Sequence, residues 1–129
     1  QVDRRGLPAI TLFQDTSTLT ATVNDYSGED IFSRNLLTLS EPGDVLLAIS
    51  TSGNSPNILK ALKTAKASNI TTIGFLGSDG GKALNYCDEA FVVPSQITAR
   101  IQEVHITAGH AVLQFVEDKL ISEGFLDKL

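Results

Sequence analysis

The sequence contains very little cysteine, no cluster of basic residues and no long apolar run, and each scarcity excludes a class of protein. With a single cysteine, Cys87, in 129 residues, the chain cannot form an intrachain disulfide or a multi-cysteine zinc site. No run of Lys or Arg occurs and the formal net charge is -5, which argues against binding to a nucleic-acid backbone. The longest apolar run, residues 45–49, is too short to cross a bilayer.

The apolar content, by contrast, is sufficient for a folded core. Hydrophobic residues make up 42% and charged residues 19% of the chain, which is typical of a globular domain. The length predicts one domain, residues 1–129. No secretory signal pattern opens the chain, so we expect a cytoplasmic protein. Because the sequence starts at Gln1 and enters a strand-like run within ten residues, we expect that an N-terminal segment is missing.

Apolar runs alternate with helical patterns along the chain. The expected strands are 8–13, 45–49, 70–76 and 89–93. The expected helices begin at 27–30, at 55–56, near 83–86 and at 99, the last one ending at about 122. Strands separated by helices require crossover connections, so the pattern predicts an α/β fold with a parallel sheet and helices on both faces. The strand at 45–49 is apolar at every position, which predicts that both its faces are covered.

The last helix carries two apolar stripes. One comprises Ile101, Val104, Ala108, Ala111, Val112 and Phe115; the other comprises Ile106, Gly109, Leu113, Val116 and Leu120. Two apolar faces predict two partners, the sheet and a helix of another subunit. The polar stripe between them contains His110 and is either solvated surface or a source of chemistry, since a histidine near pH 7 can act as a general acid or base.

The most informative segment follows the strand at 45–49. Four hydroxyl residues lie there within six positions: Ser50, Thr51, Ser52 and Ser55. They should lie at the C-terminal edge of the sheet, where the N-terminus of the next helix also attracts anions. One hydroxyl would suffice to cap the helix, so this cluster favours binding of a phosphate monoester over capping alone.

Other motifs are absent or weak. The chain contains no Walker loop, no dinucleotide-binding glycine motif and no nucleophile elbow. The glycine-rich segment 77–81 indicates a turn rather than a ligand cradle. Cys87 is expected to be a small buried residue. Asn24 and Asp25 alone indicate a turn.

In combination, these motifs resemble the sugar-isomerase (SIS) domain family, and within it the phosphoheptose isomerase branch. The matching segments are 24–25, 43–55, 79–82 and 100–105, and the resemblance covers about residues 7–119. It implies a flavodoxin-like three-layer αβα sandwich and a homotetramer with active sites between subunits. It also implies isomerisation of sedoheptulose 7-phosphate to D-glycero-D-manno-heptose 7-phosphate through an enediol.

The resemblance also implies roles for individual residues. Ser50, Thr51, Ser52 and Ser55 would hold the phosphate, and Asn24, Asp25 and Gln102 would contact the substrate. His110 would transfer the proton, and Gln102 and His110 would both ligate a zinc ion. Zinc or a cationic group would stabilise the developing oxyanion.

Two features depart from the family pattern. The helical H-x-x-x-E segment that supplies the other zinc ligands and a catalytic glutamate does not occur here, nor does the upstream Gly-Ser-rich loop. We therefore expect these 129 residues alone to be inactive. In addition, Gln102 and His110 are eight residues apart on one predicted helix, about 12 Å of rise and roughly 80° of rotation. They can share a metal only if Gln102 precedes the regular helix or if they come from different subunits.

Two alternatives stay open. Relatives of this branch include a non-catalytic factor that binds the bacterial replication initiator, but that relative has Asn where this chain has His110. Other SIS isomerases act on hexose or pentose phosphates, whereas the segment 100–105 favours a heptose.

Overall fold

The computed structural model describes residues 3–13 and 15–126. Its helices are α1 (Thr16–Asp25), α2 (Ser33–Leu39), α3 (Pro56–Ala67) and α4 (Thr98–Ser122), with a 3₁₀ helix at Gly81–Tyr86. Its strands are β1 (Val45–Ser50), β2 (Thr71–Gly77) and β3 (Glu89–Val93). In the described ranges, no helix is both long enough and apolar enough to span a membrane.

The three strands form a parallel sheet in the order β1-β2-β3. Val45 pairs with Thr71, and Ile73 pairs with Glu89. Helix α3 connects β1 to β2, and the 3₁₀ helix connects β2 to β3. The predicted α/β class with a parallel sheet is confirmed. Because all strands run the same way, their carboxyl ends meet at one edge of the sheet, where β1 ends at Ser50 and β2 ends at Gly77.

One face of the sheet is buried beneath α3, against which α2 packs. The buried apolar cluster on this side comprises Leu36, Leu46, Ala48, Ala61, Leu62, Ala65, Ile70, Leu76 and Ala83. Leu62 and Leu76 have no exposed surface, and burying a leucine side chain completely contributes about 1.5–3 kcal/mol. This cluster therefore fixes the position of β1 and α3, and with them the loop between the two.

The opposite face is covered only in part. Helix α4 packs over Phe75 of β2 and Phe91 of β3, which face each other in register. Helices on both faces confirm the three-layer arrangement. However, Val45, Leu47 and Ile49 of β1 are 57%, 50% and 54% exposed. The expectation that both faces of β1 are covered is wrong within the described residues, because α4 lies over β2 and β3 instead.

The two predicted stripes of α4 do not match its packing. The side that meets the sheet is marked by Ile101 and His105, which are buried, and by Gly109, which lies close to the Phe75 ring. Most of the larger members of both stripes are exposed, among them Ile106 and Phe115. His105 lies on the side of α4 that faces the sheet. A search for apolar residues alone could not identify that side, because a histidine is polar.

The first part of the chain differs most from the sequence-based expectations. Residues 8–13 form no strand, because β1 pairs only with β2 and no other described strand lies beside them. Residues 16–25 form α1, a helix that the sequence pattern did not predict; Asp15 caps it by accepting hydrogen bonds from the amides of Ser17 and Thr18. The signature at 27–30 forms a turn closed by a hydrogen bond from Ser27 to Asp30, and α2 begins only at Ser33.

Candidate functional site

The loop between β1 and α3, residues 50–55, holds the predicted phosphate-binding hydroxyls and is called the serine loop below. Ser50 is buried at the end of β1, and its Oγ accepts a hydrogen bond of 3.1 Å from the amide of Gly53. The same Oγ lies 3.3 Å from Oγ of Ser55. Ser50 therefore closes the loop from inside and keeps its two ends together.

Ser52 faces solvent at the tip of the serine loop. Its Oγ accepts a hydrogen bond of 3.1 Å from the amide of Asn54, so its own hydroxyl hydrogen can be donated outward. Thr51 is half-buried beside it. Ser52 is therefore the serine of this loop best placed to donate to a ligand oxygen.

Ser55 occupies the predicted cap position before α3, which begins with Pro56. Its side chain makes no capping hydrogen bond and instead approaches Ser50. Capping alone therefore does not account for Ser55. With the positive end of the α3 dipole at the same edge, the loop offers hydroxyl groups and a favourable field for an anion.

The glycine-rich segment 77–82 braces the serine loop. Gly53 has φ +63°, and a Cβ there would lie 2.0 Å from the carbonyl oxygen of Gly80. A Cβ at Gly81, with φ +54°, would lie 2.6 Å from the carbonyl oxygen of Ser52. The amide of Ala83 donates to the carbonyl of Gly53 at 2.9 Å. The backbones of the serine loop and the glycine-rich segment can come this close because neither Gly53 nor Gly81 carries a Cβ. The glycine-rich segment therefore supports the serine loop.

The end of β2 connects the serine loop to α4. A Cβ at Gly77 would lie 2.3 Å from the carbonyl oxygen of Thr51 and 2.6 Å from Cδ1 of Ile101. One residue earlier, the carbonyl of Leu76 lies 2.9 Å from Nε2 of His105. The end of β2 is therefore in contact with both the serine loop and α4.

Gln102 and His110 are both exposed side chains on α4. Gln102 lies inside the regular helix, which begins at Thr98, so it does not precede the helix. Eight helical residues separate the two by about 12 Å of rise and roughly 80° of rotation. In the part of the chain that the structure describes, no group of three or more His, Cys, Asp or Glu side chains could hold a metal. A single chain therefore does not bring these two residues together.

Asn24 and Asp25 are the last two residues of α1 and are exposed. They lie in a helix, so the expectation of a turn before a helix is wrong. Across residues 3–13 and 15–126, no hydrogen bond joins either side chain to the serine loop. Their proposed contact with substrate stays a prediction.

Cys87 is half-buried, and its Sγ lies 3.3 Å from the carbonyl oxygen of Ala83. Burial, followed by the nearby charge of Asp88, raises the pKa of its thiol above the ordinary value. A raised pKa keeps the sulfur protonated and unreactive, although Cys87 is half-buried rather than fully buried as expected.

Relatives of known name extend over nearly all of the chain. It is 54% identical over 123 residues to a phosphoheptose isomerase of Clostridium acetobutylicum, an alignment that covers 95% of this chain and 63% of the relative. A phosphoheptose isomerase of Paramagnetospirillum magneticum is 51% identical over 115 residues, covering 89% of this chain and 60% of the relative. The chain therefore spans about three fifths of the length of these relatives.

Solved structures agree with the sequence matches. The fold superimposes on a phosphoheptose isomerase of Neisseria gonorrhoeae with a TM-score of 0.82 and 42% identity, covering 84% of this chain and 61% of that one. For the enzyme of Francisella tularensis the TM-score is 0.83 at 36% identity, covering 86% and 60%. The family model described as SIS domain matches residues 1–77, more than half of the chain. On this evidence the chain belongs to the SIS domain family.

Proposed function

We propose that this protein is a phosphoheptose isomerase, which converts sedoheptulose 7-phosphate to D-glycero-D-manno-heptose 7-phosphate. The observation that carries the proposal is the serine loop, where an outward hydroxyl at Ser52 and the start of α3 lie at the carboxyl edge of the sheet. Relatives named phosphoheptose isomerase are 54% and 51% identical to this chain, and they support the choice of a heptose.

The serine loop supplies binding energy at the phosphate, away from the reacting carbons. Neutral hydroxyl and amide donors would stabilise the charged ester by hydrogen bonding, since no lysine occurs between residues 45 and 59. Held at that end, the sugar presents its carbonyl to the side chains of α4. Asn24, Asp25 and Gln102 are proposed to bind its hydroxyl groups.

The reaction requires one proton to move between neighbouring carbons. A base removes a proton from the carbon beside the ketone while the carbonyl oxygen takes one up, which gives an enediol. A proton then returns to the former carbonyl carbon while the hydroxyl of the neighbouring carbon loses its own, which leaves the aldehyde. His110 is proposed as the residue that moves this proton, since an imidazole can both accept and donate near neutral pH. Its exposure on α4 leaves both ring nitrogens accessible to a substrate.

Zinc does not fit the residues of a single chain. Gln102 and His110 lie too far apart along α4 for one ion, and no other group of ligands completes a site within the described ranges. No step above depends on the metal. The zinc assignment stays a prediction, and it is tested by metal analysis of the purified full-length protein and by turnover with and without a chelator.

A homotetramer in the cytoplasm is part of the same proposal. Phe115, Leu113 and Ile106 of α4 are 68%, 67% and 59% exposed, and exposed apolar side chains in such number mark an interaction surface. A second subunit that covers α4 would also allow Gln102 of one chain to approach His110 of another. We further propose that residues 1–129 alone do not turn over substrate, which an assay of this chain beside the full-length protein tests.

The main experiment compares two serines of the same loop in the full-length protein. Ser52→Ala removes an outward donor to a charged group, so KM should rise about tenfold to a hundredfold, corresponding to roughly 1.5–3 kcal/mol. Its melting temperature should stay close to that of the wild type. Ser50→Ala removes the acceptor of a buried amide, so it should also lower the melting temperature. Ser122→Ala, at the far end of α4, is the control for both.

The outcomes separate the candidate functions. A rise in KM for sedoheptulose 7-phosphate supports the proposal. Turnover of a hexose or pentose phosphate, and not of the heptose, would assign the protein to a different sugar-phosphate isomerase. Absence of turnover of any sugar phosphate by the full-length protein would favour a non-catalytic SIS interaction protein. An unchanged KM in Ser52→Ala would leave Ser52 with only its hydrogen bond to the amide of Asn54 within the loop.

A further inference from the structure

His105 is a buried polar side chain for which the proposed reaction has no use. It is 5% exposed and lies against the rings of Phe75 and Phe91, with centroid distances of 5.8 Å and 6.4 Å. Within residues 3–13 and 15–126, its Nδ1 is the one buried side-chain nitrogen or oxygen without a hydrogen-bond partner. A buried nitrogen without a hydrogen-bond partner lowers stability, and an aliphatic side chain would avoid this loss. Packing alone therefore does not explain a histidine at this position.

The hydrogen bond made by the other nitrogen defines the state of the ring. Nε2 lies 2.9 Å from the carbonyl oxygen of Leu76, and because a carbonyl can only accept, Nε2 must carry the hydrogen and donate it. This bond joins the eighth residue of α4 to Leu76, the last residue but one of β2. A hydrogen bond is directional, so it restricts sliding and rotation of the helix in a way that contact with Phe75 and Phe91 does not.

The residue that follows Leu76 contacts the serine loop. A Cβ at Gly77 would lie 2.3 Å from the carbonyl oxygen of Thr51, so β2 and the loop are in backbone contact at this point. His105, Leu76, Gly77 and Thr51 thus form a continuous path from α4 to the proposed phosphate site. Gln102 lies three residues before His105 on the helix and His110 lies five residues after it.

We propose that His105 is a positioning residue that holds α4 at a fixed height against the serine loop through its hydrogen bond to Leu76. The inference rests on the proposed function. The height of α4 sets where Gln102 and His110 lie along the helix relative to the sheet, and with them the position of these side chains in the active site that we expect between subunits. Loss of the bond should leave phosphate binding intact while it misplaces the group that moves the proton.

Three substitutions in the full-length protein test this role. His105→Leu keeps the bulk and removes the donor, so kcat should fall about a hundredfold, as small displacements of catalytic groups do, with KM little changed. His105→Gln places an amide N–H near the position of Nε2 and should restore most of kcat. His105→Asn is shorter, cannot reach Leu76 and should resemble His105→Leu.

The control is Thr72→Val, which removes a buried hydroxyl and its hydrogen bonds at the edge of the sheet opposite the serine loop. It should lower the melting temperature and leave kcat unchanged, as any purely structural effect would. If His105→Leu does not fold, the comparison of His105→Gln with His105→Asn decides. Wild-type kcat in His105→Asn, or equal losses of kcat in the Asn and Gln variants, would overturn the inference.

Failure of the inference differs from failure of the proposed function. If the wild-type protein isomerises no sugar phosphate, the proposed function and the inference fall together. If the wild type is active and His105→Asn is equally active, only the role of His105 is lost.

Discussion

The serine loop and the polar side chains of α4 differ in how completely one chain determines them. The serine loop is fixed by a buried hydroxyl at Ser50, by hydrogen bonds and by backbone contact with Gly80 and Gly81. Gln102 and His110, by contrast, are exposed and separated by about 12 Å along the helix. The chain therefore builds the anchoring half of the proposed site by itself, whereas the chemical half depends on what faces α4.

The largest effect should come from the chemical half. His110→Ala removes the proposed proton-transfer group, so kcat should fall by about 10²–10⁴-fold in the full-length protein. Because His110 is exposed, the melting temperature should not change, and steady-state kinetics with a thermal melt measures both. Asp118→Asn, two turns further along α4, is the control. Unchanged turnover in His110→Ala would remove this residue from the mechanism.

An intermediate effect should come from the contact between the serine loop and the glycine-rich segment 77–82. Gly53→Ala imposes a side chain at φ +63° and 2.0 Å from the carbonyl oxygen of Gly80. Gly43→Ala is the matched control, since Gly43 has φ +99° and no atom within 4 Å of the new Cβ. Backbone strain alone should cost the control about 1–3 kcal/mol of unfolding free energy.

Gly53→Ala should lower the free energy of unfolding by more than Gly43→Ala does, because the backbone at Gly80 must also move away from the new Cβ. Urea unfolding measures the difference, and a phosphate-binding assay should show weaker binding only in Gly53→Ala. Equal destabilisation in the two variants would mean that the serine loop and the glycine-rich segment can separate without loss of stability.

The smallest effect should come from substitutions at the amino edge of the sheet, which lies away from the serine loop. They serve as a reference because they do not touch the proposed site. One oxygen of Asp88 accepts hydrogen bonds of 2.8 Å from both the amide and the hydroxyl of Thr72. The amide and then the hydroxyl of Thr72 hold the pKa of Asp88 below its ordinary value of 3.8. At acidic pH the unfolded chain therefore binds more protons than the folded one, and the free energy of unfolding decreases as the pH falls.

This contribution is fully present above pH 3.8 and is lost as the pH falls through the lower pKa of the folded state. Thr72→Val removes the hydroxyl donor, so the acid-dependent loss of unfolding free energy should become smaller, while Thr72→Ser should retain it. Unfolding by urea between neutral and acidic pH measures the slope. Identical slopes in the two variants would show that the hydroxyl does not act on Asp88.

Strong local patterns predicted the central part of the fold. The apolar run at 45–49, the Ser55-Pro56 start signal and the β-branched run at 70–76 each correspond to an observed element. The serine loop was predictable as well, because its position follows from strand and helix order alone. The first part of the chain was not, since the run at 8–13 has strand-forming residues but no described strand beside it.

The role of His105 and the glycine contacts could not be read from the sequence. A histidine among apolar residues gives no signal of which carbonyl it meets, because that depends on how α4 lies over β2 and β3. Gly53, Gly80 and Gly81 have turn character in the sequence, but their close approach links segments that are 27 residues or more apart. Long-range packing determines both features.

The exposed aliphatic side of β1 has a practical consequence for handling this chain. Among the described strands β1 pairs along one edge only, with β2, and Val45, Leu47 and Ile49 lie half-open on one side. A free edge with apolar side chains is a template onto which extended peptides add, including copies of the same sequence. Concentrated preparations of these residues should aggregate sooner than dilute ones, and a lysine introduced by Leu47→Lys should delay the onset of turbidity.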